Sequence, residues 1–231
     1  MSTDHPPVIT TFPLGDWQTN CHVVTVPTGP SPRDCWIVDC GHRPEPLLAF
    51  IQKEGLVPKG ILLTHCHLDH IMGIDKAIAL FGPMPILCHR LEAAWNTEPM
   101  LNLSGFYGMP VSVSPPTAFV EDGQTIDLCG SSWRVLHVPG HSPGSVAFVH
   151  DGSNQALTGD ALFAGSVGRS DFPTSNPRDL HRSVTETLMR LPDHMTIRPG
   201  HGPKTTIGVE RRTNPNVAPY VGKVGGGPAR P

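Results

Sequence analysis

Between positions 64 and 70 the chain reads Thr-His-Cys-His-Leu-Asp-His, three imidazoles and a carboxylate in seven residues. Imidazole nitrogen and carboxylate oxygen are the ligands that zinc, iron and manganese take from protein. The run follows Gly60-Ile61-Leu62-Leu63, an apolar stretch with the composition of a buried strand. Alternate side chains of an extended segment share a face, so His65 and His67 reach one metal together. Asp69 and His70 fall at the start of the helix expected next, within reach of a second metal. Three more ligand-type residues stand in similar surroundings. His141 lies in Pro-Gly-His-Ser-Pro-Gly after a strand-like run at 133–138, Asp160 in Thr-Gly-Asp after 155–158, and His201 in Pro-Gly-His-Gly-Pro after 195–198. Ligands at glycine-bordered turns after several strands converge on one sheet edge, where glycine lets backbone approach closely. Together these residues describe a site for two metal ions rather than one.

Cys66 sits inside the ligand run, but the two histidines that flank it face the metals, which turns its side chain the other way. The other cysteines (21, 35, 40, 88 and 129) form no Cys-x-x-Cys pair. Small buried thiols in a reduced compartment suit this scatter better than a disulfide framework. The remaining eight of the thirteen histidines have no ligand spacing and read as surface or hydrogen-bonded residues.

Positioning such a site requires strands with helices between them. Strands are expected at 8–14, 20–26, 35–39, 61–64, 85–88, 125–128, 133–138, 145–149, 155–158 and 195–198, and helices at 44–55, 69–80 and 177–190, with a helical turn at 207–212. Residues 96–117 dissolve into Pro, Gly, Ser and Met, an irregular stretch of the kind that often shapes a binding pocket. Two groups of strands, each followed by helices, give an α/β fold of two sheets packed face to face with helices outside. The chain of 231 residues is long enough for one such domain, assigned to residues 1–219, and 220–231 form a flexible Gly- and Pro-rich tail. A formal net charge of −3 argues against nucleic acid or an anionic membrane as the main partner. No stretch is apolar enough to span a bilayer and the N-terminus lacks the features of a secretory signal, so a cytoplasmic location is expected.

The ordered set His-x-His-x-Asp-His, Gly-His-Ser-Pro-Gly-Ser, Thr-Gly-Asp-x-Leu-Phe and Pro-Gly-His-Gly-Pro resembles the metallo-β-lactamase superfamily over most of the chain. The resemblance implies a four-layer αββα sandwich with a binuclear site at one sheet edge. It places His65, His67 and His141 on the first metal, Asp69, His70 and His201 on the second, and Asp160 between them. The cofactors implied are two divalent ions, zinc first, with iron or manganese as alternatives. Residues 159–173 and 205–216 look like the glyoxalase II-type hydrolases, in particular their compact bacterial branch, which implies hydrolysis of a small-molecule thioester such as S-lactoylglutathione. The C-terminal helical domain with which larger glyoxalase II enzymes help hold glutathione has no room in 231 residues. Asp69 is then the catalytic carboxylate that orients the attacking water. Arg169 is the candidate clamp for a substrate carboxylate, or else the partner of Asp171 or Asp179. Tyr107 and Phe163, with Phe172, are the candidates for the substrate wall. Two other readings stand beside this one. Persulfide dioxygenases share the fold and the Gly-Arg-x-Asp-Phe stretch at 168–172 but use one iron on a subset of the ligands, and a metal-dependent binding module would hold ions without turnover.

Overall fold

A computed structural model describes residues 5–221. The first half of the chain forms β1 (Val8–Leu14), β2 (Thr19–Thr25), β3 (Asp34–Val38), α1 (Glu45–Lys53), β4 (Val57–Leu62), α2 (Leu68–Ile71), α3 (Ile74–Phe81), β5 (Ile86–His89) and β6 (Ala118–Val120). Its six strands make one sheet in chain order, antiparallel from β1 to β3 and parallel from β3 to β6. Parallel neighbours cannot be joined by a tight turn. Accordingly α1 crosses from β3 to β4, and α2 with α3 from β4 to β5.

The second half forms β7 (Thr125–Asp127), β8 (Ser132–His137), β9 (Val146–His150), β10 (Gln155–Gly159), a small hairpin of β11 (Leu162–Phe163) and β12 (Ser166–Val167), α4 (Pro177–Arg182), β13 (Thr196–Pro199), β14 (Thr205–Thr206), α5 (Ile207–Thr213) and α6 (Ala218–Val221). The second six-stranded sheet has the order β14-β13-β10-β9-β8-β7. Its single parallel pair, β10 with β13, is bridged by α4 and the helical turns that continue it.

Period-two alternation sorts the apolar side chains into layers. On β2, β3 and β4, Val23, Ile37 and Ile61 pack with Leu47, Ile51 and Ile74 of the helices, whereas Val24, Val38 and Leu62 face the other way. Those three meet Val135, Val146, Phe148 and Leu157 of the second sheet. Ala147, Val149, Ala156 and Ile197 on the far face of the second sheet pack against Leu180, Val184 and Leu188. Three apolar interfaces between four layers make the αββα sandwich. Cys66 lies in the helix-side layer of the first sheet, buried and turned from the ligand face.

The helix expected at 69–80 is two helices. Gly73 packs so closely on the 40–41 turn that an added Cβ would lie 2.5 Å from the Gly41 carbonyl, and its N–H donates to the Cys40 carbonyl at 2.8 Å, which breaks the axis there. The helix at 177–190 holds regular geometry only to Arg182 and continues as a π-helical turn, Ser183–Thr187, and a 3₁₀ turn, Leu188–Arg190. Strands β6, β11, β12 and β14 are two or three residues long, too short to leave an alternation in sequence. Residues 96–117 are irregular but internally bonded. The Asn102 side chain donates to the carbonyls of Trp95 and Val111 and accepts from the Ser104 N–H, replacing a backbone ladder. Of the expected tail, Tyr220 and Val221 end α6, and 222–231 lie outside the described residues. Among the described residues no helix is long and apolar enough to cross a membrane.

Candidate metal centre

The seven ligand-type residues arrive from C-terminal strand ends of both sheets. His65 and His67 follow β4, with Asp69 and His70 on α2; His141 follows β8, Asp160 follows β10 and His201 follows β13. Backbone bonds lash these ends together. The Val146 N–H donates to the Thr64 carbonyl at 2.9 Å, Gly200 to Gly159 at 2.8 Å, and Asn20 to Gly200 at 2.7 Å. Glycine is required here by proximity. A Cβ on Gly200 would lie 2.1 Å from Asp160 Oδ1, and one on Gly168 would lie 1.8 Å from the Asp160 carbonyl. Gly140, at φ 132°, also passes against Leu180.

The ligand atoms of His65, His67 and His141 all lie within 4.8 Å of one another, as do those of Asp69, His70 and His201. Asp160 lies between the groups, with Oδ2 3.5 Å from His141 Nε2 and 3.4 Å from His201 Nε2, and Oδ1 3.4 Å from His70 Nε2. A third close group, His65 with His70 and Asp160, overlaps both.

Hydrogen bonds on the outer ring nitrogens set which nitrogen faces inward. His141 Nδ1 donates to the Arg169 carbonyl at 2.8 Å, His201 Nδ1 to the Trp17 carbonyl at 3.0 Å, and His70 Nδ1 to Asp39 Oδ2 at 2.8 Å. The Thr64 hydroxyl gives its proton to Asp39, so it accepts from His65 Nδ1 at 3.2 Å. Four imidazoles therefore turn Nε2 toward the common space, where His141 Nε2 also lies 2.9 Å from His67 Nδ1. His65 Nε2 is buried there without a hydrogen-bond partner, and His70 Nε2 and Asp160 Oδ1 have no partner closer than each other at 3.4 Å, an arrangement that costs free energy and that a cation would relieve.

The charge states point the same way. Burial, aided by the neighbouring imidazoles, holds His65 and His67 well below the usual histidine range, and burial lowers His141, so all three are neutral donors. Burial opposes charge on His201 as well, but Asp160 and Asp69 outweigh it and push the imidazole up to about 10. For Asp69 burial works against ionisation, yet His70 and His201 bring the carboxyl down to about 2. In the metal-free protein protons thus stand where cations would. The donor set, its burial and the unpaired His65 Nε2 fit divalent metal ions.

Three polar side chains that no sequence spacing pointed to hold this array. Asp39 accepts from the Thr64 N–H, the Thr64 hydroxyl and His70, and does so from a left-handed backbone at φ 59°. Such a conformation costs a non-glycine residue about 1 kcal/mol and persists where surrounding contacts demand it. Glu92, buried, accepts from the N–H groups of Cys66 and Gly144 and from the Ser142 hydroxyl. The Thr19 hydroxyl donates to Asp69 Oδ2 at 2.8 Å.

Beside the ligands opens a cavity of about 230 Å³ whose walls include Trp17, Leu103, Tyr107, Phe163, Arg169 and Phe172. Phe163 stands edge-on to His201, and Phe172 edge-on to His67 and His141. Arg169 lies on the wall, but its guanidinium forms a bidentate pair with Asp171 at 2.9 Å and covers the Phe172 ring; no pair with Asp179 forms. Trp17, in the β1–β2 turn, packs edge-on to Tyr107. A large aromatic in a short turn between strands was the one sequence signal for it.

The sequence profile of the Metallo-beta-lactamase superfamily matches residues 14–201. The hydroxyacylglutathione hydrolase GloC of Haemophilus influenzae is 33% identical over 206 residues, covering 88% of this chain and 95% of that protein. Among solved structures, BLEG-1, a B3 metallo-beta-lactamase, superposes with a TM-score of 0.84 at 33% identity, over 90% of this chain and 98% of its own. TTHA1623 in a di-iron-bound form gives a TM-score of 0.75 at 37% identity, over 91% and 98%. This chain belongs to the metallo-β-lactamase superfamily.

Proposed function

We propose that the protein is a binuclear metal-dependent hydrolase of small-molecule thioesters of the hydroxyacylglutathione type. The observation that carries this reading is the crowding of His65, His67 and His141 and of Asp69, His70 and His201 beside one cavity, linked by the group of His65, His70 and Asp160. A single-ion site would use only part of that set. Similarity to GloC supports the thioester class, and similarity to a protein solved with two irons supports the metal count. Zinc is the first expectation for the ions, with iron and manganese suited to the same ligands. All six cysteines are free, which fits a reduced cytoplasmic setting.

His65, His67 and His141 would hold one ion and Asp69, His70 and His201 the other, with Asp160 shared. Bound there, the two ions would bring the pKa of a water toward neutrality and polarise a carbonyl. The chain supplies the rest. Asp69, whose Oδ2 is fixed by the Thr19 hydroxyl, orients the attacking water and accepts its proton. Trp17, Leu103, Phe163 and Phe172 give the acyl group an apolar wall and exclude bulk water. Paired with Asp171, Arg169 stands at the mouth with its guanidinium engaged rather than as a free clamp. A thiolate leaves without a dedicated acid.

The test is hydrolysis of S-lactoylglutathione measured together with metal content. About two ions per chain with thioester cleavage is the expected result. One iron per chain with oxygen uptake on glutathione persulfide would replace the reading by a dioxygenase, and full metal loading without turnover on a thioester panel would replace it by a binding module. His65→Ala and Asp160→Ala are expected to abolish turnover in a folded protein; unchanged hydrolysis by either refutes the assignment.

A further inference from the structure

Outside the metal centre, a cleft of about 420 Å³ opens between the β1–β2 edge of the first sheet and β13 of the second. Thr10, Thr11, His22, Arg198, Gly202 and Lys204 are among its lining residues, and among the described residues no acidic side chain lines it. Strand register makes this composition unexpected. Arg198 pairs with Leu157 across β10 and β13, and His22 pairs with Val38 across β2 and β3. Leu157 and Val38 are both inter-sheet core residues. Cross-strand partners share a face, so an arginine and a histidine occupy positions where the sandwich is otherwise apolar.

The guanidinium of Arg198 is half-buried. Its Nε donates to Gln155 Oε1 at 2.9 Å and its Nη1 reaches Thr11 Oγ1 at 3.5 Å. Among the described residues no carboxylate lies within the 4.0 Å of an ion pair from Arg198 or from Lys204. A guanidinium has five N–H donors, and removing one from water without a counter-charge is unfavourable. The neighbouring His22 is kept neutral, chiefly by burial and then by Arg198, with its pKa lowered to about 3, so it adds no positive charge of its own. Its Nδ1 is engaged with the Thr11 hydroxyl at 3.0 Å.

We propose that this cleft binds a small oxyanion, the carboxylate or phosphate group of a metabolite, with Arg198 as anchor and Lys204 as the second cation. Arg198 retains donors beyond those given to Gln155 and Thr11, and the planar fork of the guanidinium matches two oxyanion oxygens. The volume accommodates more than the bare anion, leaving space over Ile9 and Pro199 for an attached organic group. The occupant would sit against the loop that carries His201. Asn20, which also lines the cleft, donates its side-chain amide to the carbonyls of Pro199 and Gly202 at 2.9 and 2.8 Å. A ligand there stiffens the His201 loop from behind without entering the catalytic cavity.

The experiment is titration of metal-loaded, isotope-labelled protein with inorganic phosphate and, separately, with acetate, at constant ionic strength, followed by amide resonances. Saturable shifts of Thr10, Thr11, Gly202 and Lys204 are expected for at least one of the two anions, and the stronger one identifies the headgroup class. Arg198→Gln is expected to weaken this binding about tenfold or more, the loss of a charge-assisted contact, and Lys204→Gln about threefold, as befits an exposed charge. Oxyanions are also drawn to metals, and the map separates the two events. Shifts confined to residues 65–70, 141 and 160 would overturn the proposal, as would non-saturating shifts or identical titrations in both variants. Lys204 is exposed, so its variant keeps the test decisive should Arg198→Gln not fold.

Discussion

Glu92→Gln is the substitution that most directly tests how the ligand loops are held. The native side chain is fully buried, and Oε2 accepts from the Cys66 N–H at 2.6 Å, between His65 and His67. Oε1 accepts from the Gly144 N–H at 2.8 Å and from the hydroxyl of Ser142, which follows His141. One carboxylate thus ties together the two loops that bear His65, His67 and His141. Burial is the largest influence on it and raises its pKa above the ordinary glutamate value, while these donors work in the opposite direction. Glutamine has the same shape. Its amide oxygen can keep Gly144 and Ser142, but its NH₂ then faces the Cys66 N–H, donor against donor.

Two effects compete. Removing a buried charge recovers desolvation free energy, while the two surviving bonds weaken from about 1.5–3 kcal/mol each to about 0.5–1.5 kcal/mol. These changes roughly cancel, and the unmatched buried N–H of Cys66 leaves a net loss of about 1–3 kcal/mol. For a chain of 231 residues that corresponds to a fall in Tm of about 3–9 °C in the metal-free protein. With the loops loosened, metal affinity should fall about 10- to 100-fold, as for other residues that orient ligands. Calorimetry of the metal-free protein reads the first quantity and competition with a chromophoric chelator the second. A variant as stable as the parent and as tightly metallated would refute the reasoning. A lower Tm with undiminished metal affinity would show that Glu92 supports packing alone.

Further expectations follow from the same geometry. Gly200→Ala drives a methyl group to 2.1 Å from Asp160 Oδ1 and 2.9 Å from His70 Cε1, so it should lose metal while circular dichroism stays native; full occupancy would contradict the close approach. Phe148→Ala opens the inter-sheet layer at a fully buried ring and should cost about 3–5 kcal/mol in denaturant unfolding, with loss below 1 kcal/mol counting against that layer as the main core. Removal of metal by chelator should lower Tm by several degrees and restoration of metal should return it, because ligands that bind only the folded state stabilise it. An unchanged Tm would mean that the folded chain holds no ion tightly.

The candidate ligand set was legible because most of its loops carry their own local signal, a strand-like run followed by a glycine-bordered turn with a side chain of metal-ligating type. The layers were legible because two groups of strands, each followed by helices, point to two sheets packed face to face with helices outside. What supports the ligands carries no such mark. Asp39 and Glu92 look like ordinary acidic residues, and their roles depend on partners 25 to 52 positions away. The break at Gly73 depends on the 40–41 turn packing against it, which local helix propensity does not record. Arg169 has Asp171 two residues on, so sequence offered the pair and the substrate as competing partners, and only the side-chain positions distinguish them.

The braces also bear on how many ions the centre holds. Asp39, Asp69, Glu92 and Asp160 are four buried carboxyl groups, and among the described residues none has a lysine or arginine within ion-pair distance. Their cationic contacts are histidines alone: His70 beside Asp39, Asp69 and Asp160, and His201 beside Asp69 and Asp160. In the ionised form they carry four negative charges, which two dications with neutral imidazoles balance. One dication would leave two charges over and would require His70 and His201 to stay protonated, withdrawing both from coordination. On the proposed reading, this concentration of carboxylates without lysine or arginine favours two ions over one. Metal analysis at saturating supply that returned a single ion, with His70 and His201 still titrating as free imidazoles, would break this argument at its base.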